Sequence, residues 1–181
     1  MLILNVKSYR FNIIFILLIM KNVRLVKKSD SKKVNALLNS TFGPGRFARS
    51  VYRLREQRPY EEHLSFVYEQ KNNILACISY CKTILNNQFS GLLLGPLAVE
   101  LKFKGQGFGV QLVEYTLELI MEENKDDFVI VVGDFDYYER FGFNKISQKV
   151  NFYGPVDKGK LLIKQLKKGL SFSNKDSIKF S

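Results

Sequence analysis

The sequence has only one histidine and two cysteines, and it holds no apolar run as long as a membrane span. A zinc site around His63 would need carboxylates for most of its ligands, and a serine–histidine triad would depend on that same histidine. Cys77 and Cys81 stand four positions apart in a predicted strand, so about 13 Å separates them at a rise of about 3.3 Å per residue. That distance exceeds the reach of a disulfide. We therefore expect no metal site and two reduced cysteines, as in a cytoplasmic protein.

The composition is that of one folded domain. Hydrophobic residues make up 46% of the 181 positions and charged residues 25%, both ordinary proportions for a soluble globular protein. A chain of this length buries about 70% of its unfolded surface when it folds. Disordered, collagen-like and coiled-coil classes are therefore excluded, and a single domain with short appendages is expected.

Basic residues outnumber acidic residues by 28 to 17, which gives a formal net charge of +11. Seven of the lysines lie between Lys158 and the C-terminus, where Asp176 is the one acid. A field of this sign attracts anions, including nucleic acid, anionic membranes and phosphate-bearing cofactors. Charge alone does not rank these partners, and a solvated lysine-rich surface explains it equally well.

An apolar segment, Asn12–Met20, stands near the N-terminus behind Lys7 and Arg10. It has the charged and apolar parts of a signal peptide. It is, however, much shorter than the about 20 residues of a membrane span, and no small-residue cleavage site follows it. The favoured interpretation treats residues 1–20 as an N-terminal extension outside the domain, of which residues 1–19 would precede a true start at Met20. A signal or membrane segment and an extra element packed on the domain are the alternatives.

Turn residues and hydrophobic periodicity divide the rest of the chain into strands and helices. An antiparallel first half is followed by one strand–helix–strand unit, which implies a parallel pair of strands. The predicted fold class is therefore α/β, with a mixed, mostly antiparallel sheet flanked by helices. The predicted strands are 23–27, 64–69, 74–85, Phe89–Val99, Phe128–Val132, 143–150 and 161–163, and the predicted helices are 30–39, 46–57, Phe108–Glu123 and 136–141.

A glycine-rich loop, Lys104-Gly-Gln-Gly-Phe-Gly109, follows the fourth strand and opens a helix. Its glycines at 105, 107 and 109 allow backbone amides to approach a ligand closely. Because the first amides of a helix lack partners and its dipole favours anions, this arrangement suits a pyrophosphate. The GxGxG spacing matches neither a Walker loop nor the Rossmann fingerprint, and a glycine turn that only starts a helix is the alternative.

A second motif, Gly133-Asp-Phe-Asp-Tyr-Tyr-Glu-Arg-Phe-Gly-Phe143, follows the fifth strand. Its Gly142 is typical of a helix C-cap that leads into a strand. A tyrosine hydroxyl, whose ordinary pKa is about 10, suits protonation of a thiolate leaving group. Of Tyr137 and Tyr138, we expect at least one to pack in the core with its hydroxyl at the rim.

Together with Gly91-Leu-Leu-Leu-Gly-Pro-Leu-Ala-Val99, these two motifs strongly resemble the GNAT superfamily of acyl-CoA-dependent N-acyltransferases. The chain is most similar to a branch of predicted N-acetyltransferases whose strand reads LGPLAV and whose later motif reads GDxxYYxRFGF. The resemblance covers residues 21–150, and the order and spacing of the three motifs make it specific. It implies the GNAT fold, with fourth and fifth strands that splay apart at a bulge, a place that suits Pro96.

The resemblance also implies the site. Acetyl-CoA would be the cosubstrate, with no metal, and Tyr138 falls on the general acid of the family. Lys104 stands where glutamine or arginine is usual, and it would pair with phosphate as a point charge. The implied cosubstrate-binding residues are Leu97, Ala98, Val99, Lys104, Gly105, Gln106, Gly107, Phe108, Gly109 and Val110.

The implied reaction is direct attack of a primary amine on the thioester. A backbone amide at the bulge would stabilise the oxyanion, and Tyr138 would protonate the thiolate. The general base stays unassigned, because the strand Gly91–Val99 holds no acid or histidine. Glu100 is the nearest carboxylate and is better explained as a solvated charge at the strand end.

The acceptor is not defined by the sequence, and a small-molecule or protein amine is expected. Five arginines between Gly43 and Tyr60 would favour an acceptor with a carboxylate or phosphate, although a solvated helix face explains them better. We expect the domain over residues 21–165 and a basic tail over 166–181.

Two alternative functions use the same fold: a non-catalytic acyl-CoA-binding module, and a basic protein associated with nucleic acid. We expect neither a membrane partner nor a nucleic-acid partner, although the charge leaves nucleic acid open. A homodimer through an exposed sheet edge also stays open.

Overall fold

The computed structural model of the chain describes residues 22–43, 60–152, 156–157 and 159–180. The predicted N-terminal extension and the predicted helix over 46–57 lie outside these residues, as do the five arginines.

Nine strands form one sheet in the described part of the chain. The strands are β1 (Val23–Leu25), β2 (Phe66–Gln70), β3 (Asn73–Leu85), β4 (Phe89–Val99), β5 (Phe128–Val132), β6 (Asn144–Lys145), β7 (Asn151–Phe152), β8 (Leu161–Gln165) and β9 (Ser177–Phe180). The helices are α1 (Ser31–Phe42), α2 (Phe108–Glu123) and the single turn α3 (Phe135–Tyr138), with 3-10 turns at Lys28–Asp30, Glu62–Leu64, Leu101–Phe103 and Glu139–Phe141.

The sheet runs in the order β1-β2-β3-β4-β5-β8-β6. β1 to β4 pair antiparallel, β4 and β5 pair parallel, and β8 is antiparallel to both β5 and β6. Helix α2 makes the crossover that the parallel pair requires. This architecture confirms the predicted α/β class and its mostly antiparallel sheet.

Two tight turns fix the registers of the antiparallel strands. Lys71 and Asn72 both have positive φ, of 49° and 62°, between β2 and β3. Asn86 and Asn87, at 53° and 56°, do the same between β3 and β4. Asparagine tolerates this conformation better than most residues, so the predicted turn positions are confirmed.

The helices bury opposite faces of the sheet. Helix α1 packs with Leu37 and Leu38 on one face, near Ala98 of β4. Helix α2 covers the other face with side chains at helical spacing, which are Leu112, Val113, Leu117 and Ile120. Val110 and Glu114 of the same helix are both half-buried.

The C-terminal part of the chain differs from the sequence prediction. β8 extends to Gln165 and lies between β5 and β6, whereas the strand predicted over 143–150 is only the pair Asn144–Lys145. Residues 166–181, predicted as a tail, contain β9, which pairs with β3 and β7. Ile178 of β9 is buried, and the Thr83 hydroxyl donates a hydrogen bond of 2.7 Å to the Lys179 carbonyl. One buried residue in a four-residue strand is too weak a signal for periodicity to detect.

Asp30 occupies the N-cap position of α1, but its carboxylate makes no hydrogen bond to the amides of the helix. It accepts hydrogen bonds from the Arg24 guanidinium at 2.6 and 3.1 Å and from the Lys27 amide at 2.8 Å. These contacts, chiefly the one with Arg24, lower the pKa of Asp30. The carboxylate therefore ties β1 to the start of α1 instead of capping the helix amides.

Candidate active site

Strand β4 divides into two halves that have different neighbours. The paired half, Gly91–Leu94, lies between β3 and β5, with Phe128–Val131 as its parallel partner. The splayed half, Gly95–Val99, keeps β3 on one edge, whereas β5 continues its pairing only with β8. In this part of the described chain the two parallel strands therefore separate after Leu94, as the predicted fold requires.

A bulge marks the point of separation. Leu94 pairs with Tyr80 and Leu97 pairs with Ile78, so Gly95 and Pro96 together oppose the single residue between those partners. Proline has no amide hydrogen to donate to a ladder and therefore fits a bulge. Gly95 has a φ of 136°, a conformation that glycine adopts without a side-chain clash.

The side chains of the splayed half point to both faces of the sheet. Leu97 and Val99 pack against the core beneath α2, and Ala98 packs against α1. The opening between β4 and β5 therefore lies directly beside the first turn of α2.

The glycine loop has the geometry expected of a phosphate site. Gly105 and Gly107 have φ values of 85° and 86°, and Gly107 is the N-cap of α2. A Cβ added at Gly105 would meet nothing within 4 Å, and one at Gly107 would approach only the Gln111 amide at 3.9 Å. The loop is thus open, and the unpaired first amides of a 16-residue helix lie at its end. Lys104 is exposed beside it.

Gly109 has a different role from the two glycines before it. It is buried in the first turn of α2, and a Cβ there would lie 3.0 Å from the Tyr137 hydroxyl and 3.2 Å from Val99 Cγ2. From the sequence, all three glycines were expected to allow close approach of a ligand. In the structure, the close packing of Tyr137 and Val99 explains why the third position is a glycine.

The tyrosine motif forms a compact turn above β5. Helix α3 continues into a 3-10 turn that ends at Gly142, whose φ is 81°. Tyr138 is 8% exposed, and its ring lies so close to Gly133 that a Cβ there would be 2.4 Å from it. Tyr137 is half-buried, with its ring 4.9 Å from that of Tyr138 and 5.6 Å from that of Phe141. Tyr138 is therefore the tyrosine that packs in the core.

Charged side chains surround Tyr137. The Arg140 guanidinium lies 5.5 Å from its ring centroid. Burial raises the pKa of Tyr137, Arg140 partly offsets this, and Glu114 adds to it. Burial, with the nearby Glu118, also raises the pKa of Glu114. Because its pKa lies above the ordinary value of about 10, the Tyr137 hydroxyl keeps its proton at neutral pH.

Lys164 supports the tyrosine turn from β8, and the sequence argument did not identify it. Its ammonium donates a hydrogen bond of 2.8 Å to the Phe141 carbonyl, next to the Gly142 cap. Burial lowers the pKa of this lysine. The sequence does carry one indication of this contact. Because side chains alternate along a strand, Lys164 lies on the same face of β8 as the buried Leu162.

Glu100 lies on the other face of the sheet from the tyrosine turn. It lines a cleft of about 720 Å³ between α1, the β2–β3 turn and the residues that follow β4. Its carboxylate accepts the Lys102 ammonium at 2.8 Å. Both side chains reach solvent, which agrees with the interpretation of Glu100 as a solvated charge at the strand end.

The described residues lack two further features. They contain no cluster of three or more histidine, cysteine, aspartate or glutamate side chains that could hold a metal. None of the helices described is long and apolar enough to cross a membrane. Both cysteines are buried, and neither forms a disulfide.

Comparison with known proteins agrees with this geometry. The family model "Acetyltransferase (GNAT) family" matches residues 32–143. A GNAT family N-acetyltransferase (YhbS) from Escherichia coli, solved with CoA, is 22% identical, covers 88% of each chain and has a TM-score of 0.72. A GNAT acetyltransferase from Brucella melitensis, solved with acetyl-CoA, is 19% identical over 83% of this chain and 91% of that one, with a TM-score of 0.62. No curated protein matches the chain.

The family match spans more than half of the chain and includes β4, the glycine loop and the tyrosine turn. The protein therefore belongs to the GNAT acetyltransferase family. At their low identities, the similar structures establish the fold.

Proposed function

We propose that the protein is an N-acetyltransferase that moves the acetyl group of acetyl-CoA to a primary amine. The observation that carries the proposal is the separation of β4 from β5 after Leu94, beside an open glycine loop that starts α2. Family membership and the CoA and acetyl-CoA complexes of two similar structures support the choice of cosubstrate.

The glycine loop would bind the pyrophosphate, and the splayed half of β4 would bind the arm and the thioester. Backbone amides at a helix start favour a phosphate anion, and an unpaired strand edge offers amide and carbonyl groups to an extended ligand. The residues proposed to bind the cosubstrate are Leu97, Ala98, Val99, Lys104, Gly105, Gln106, Gly107, Phe108, Gly109 and Val110.

Acetyl-CoA supplies an activated acetyl group, and the protein supplies position and charge stabilisation. The amine nitrogen bonds to the carbonyl carbon while the carbon–sulfur bond breaks. An amide of the splayed half stabilises the negative charge on the carbonyl oxygen. Tyr138 donates its proton to the sulfur, and the amine loses its proton to water. Holding the two reactants together contributes much of the rate.

The acceptor is proposed to be a primary amine on a small molecule or a protein. Two buried cysteines that form no disulfide support action in a reducing compartment such as the cytoplasm.

The experiment compares Tyr138→Phe with Tyr115→Phe in the full chain. Tyr115 lies on α2 with its ring packed 5.1 Å from Phe66, away from the glycine loop, and serves as the matched control. Acetyl-CoA binding is measured by calorimetry, and turnover of a panel of amines is followed by free thiol and by product mass. We expect kcat of Tyr138→Phe to fall by about 10²-fold or more, with little change in acetyl-CoA affinity.

The outcomes separate the parts of the proposal. An unchanged kcat would show that Tyr138 is not the proton donor, and the proposed acetyltransferase activity would still hold. Tight binding without turnover of any amine would indicate a non-catalytic acyl-CoA-binding module. Absence of binding by the folded wild-type protein would overturn the proposed function.

A further inference from the structure

The Tyr137 hydroxyl lies beside residues from both parts of the proposed cosubstrate site. It approaches the first turn of α2 at Gly109, where an added Cβ would lie 3.0 Å from the oxygen. The same added Cβ would lie 3.2 Å from Val99 Cγ2 and 3.9 Å from Leu97 Cδ1. The hydroxyl and two side chains of the splayed half of β4 therefore all meet the first turn of α2 at Gly109.

The position of this hydroxyl depends on its neighbours. The Tyr137 ring rests in edge contact on Tyr138 and Phe141, and the Arg140 guanidinium lies over it. Gly109 leaves room for the oxygen, because a Cβ there would make a tight contact of 3.0 Å with it. A half-buried hydroxyl held in this way is a ready hydrogen-bond donor.

From this placement we infer that the Tyr137 hydroxyl binds the arm of the acyl-CoA, the part that joins the pyrophosphate to the thioester. The inference rests on the proposed function and adds a binding residue to it. An arm that contains amide carbonyls offers acceptors for a phenolic donor. Tyr137 would then contribute to acetyl-CoA affinity, a role distinct from the proton transfer assigned to Tyr138.

Two ligands test which part of the cosubstrate Tyr137 contacts. Acetyl-CoA contains the arm, whereas 3′-phospho-ADP keeps the pyrophosphate and lacks the arm. Calorimetry measures the binding of both to wild type, Tyr137→Phe and the control Tyr115→Phe. Loss of one hydrogen bond predicts about three- to tenfold weaker acetyl-CoA binding by Tyr137→Phe. Binding of 3′-phospho-ADP by this variant, and both affinities of the control, should stay unchanged.

The inference is overturned by any of three results with Tyr137→Phe. Equal weakening of both ligands would place the hydroxyl at the pyrophosphate. A fall in kcat with unchanged acetyl-CoA affinity would make Tyr137 a proton donor. No change in either quantity would leave the hydroxyl without a role in binding. In each case a wild-type protein that binds and turns over acetyl-CoA keeps the proposed function, whereas a wild type that binds neither ligand refutes that function.

The contact with Gly109 offers an independent test that does not depend on one variant. Alanine at this position would push against both the Tyr137 hydroxyl and Val99. We expect Gly109→Ala to weaken acetyl-CoA binding, and Gly109→Ala with Tyr137→Phe to lose less than the sum of the two single effects. Strict additivity would contradict the inference, and thermal unfolding of all four proteins verifies that each is folded.

Discussion

The two halves of β4 have similar apolar sequences and opposite roles. The paired half is held on both edges, and its leucines are almost completely buried. The splayed half has one strand neighbour, a bulge at its start and the glycine loop beyond its end. What differs is the pairing of the backbone, because a strand released from one neighbour exposes amides and carbonyls that must find other partners. An apolar sequence that is typical of a buried strand can therefore still form a binding site.

The largest effect is expected in the glycine loop. Gly107→Glu places a side chain at a φ of 86° and a negative charge where the pyrophosphate is proposed to bind. We expect acetyl-CoA affinity to fall by about 100-fold or more, since a like charge and a blocked helix start act together. Calorimetry on the folded variant measures the loss.

Gly169→Glu is the matched control for that substitution. Gly169 has a φ of 100°, open space around it, and a position in the turn after β8. Glutamate at Gly169 introduces the same backbone strain and the same negative charge, but far from the glycine loop in the sequence. If both variants lost affinity equally, the effect would be general destabilisation and the loop would not be the site.

A smaller effect separates the two halves of β4 directly. Leu92→Ala removes a fully buried side chain from the paired half and should lower the free energy of unfolding by about 2–5 kcal/mol. Leu97→Ala, in the splayed half, removes a partly buried side chain and should cost about 1 kcal/mol or less. Chemical denaturation measures both values.

Binding should show the reverse order for the same pair. We expect the folded fraction of Leu92→Ala to bind acetyl-CoA as wild type does. We expect Leu97→Ala to bind it several-fold more weakly, because Leu97 is a proposed binding residue and its side chain lies close to Gly109 of α2. Equal affinities would mean that the splayed half does not contact the ligand through this side chain.

The smallest effect concerns Lys164, which supports the tyrosine turn from β8. Lys164→Met removes the hydrogen bond to the Phe141 carbonyl, so the turn loses one anchor. We expect kcat to fall about three- to tenfold with the KM for acetyl-CoA unchanged, the size of one lost hydrogen bond. Steady-state kinetics are compared with Lys179→Met, an exposed lysine of β9. A change in KM alone would contradict a positioning role.

The sequence predicted the regular elements of the front and centre of the fold well. Strands β4 and β5 and helix α2 have the predicted bounds, because each is a long apolar or amphipathic run between clear turn residues. Of the C-terminal strands, β8 was predicted over 161–163 and is two residues longer, whereas β9 was not predicted. β8 and β9 are short, carry lysines, and depend on partners distant in the chain, which local patterns do not report.

The candidate site was predicted as a set of motifs but not as a geometry. The glycine loop and the tyrosine motif are visible in the sequence, and the structure places both beside the splayed half of β4. The sequence did not show which of Tyr137 and Tyr138 packs in the core. The two residues are adjacent in a short turn, and only the fold determines where each side chain points. The Lys164 contact and the close approach of Tyr137 to Gly109 join residues tens of positions apart, so only the fold reveals them.

The most direct test of the account is amide hydrogen exchange of the full chain with and without acetyl-CoA. We predict slower exchange in the splayed half of β4 and in residues 105–110, and little change in the paired half, whose amides are already in the sheet. Protection confined to the cleft beside α1 and Glu100, or no protection anywhere in a protein shown to be folded, would contradict the assignment of the splayed half as the acyl-CoA site.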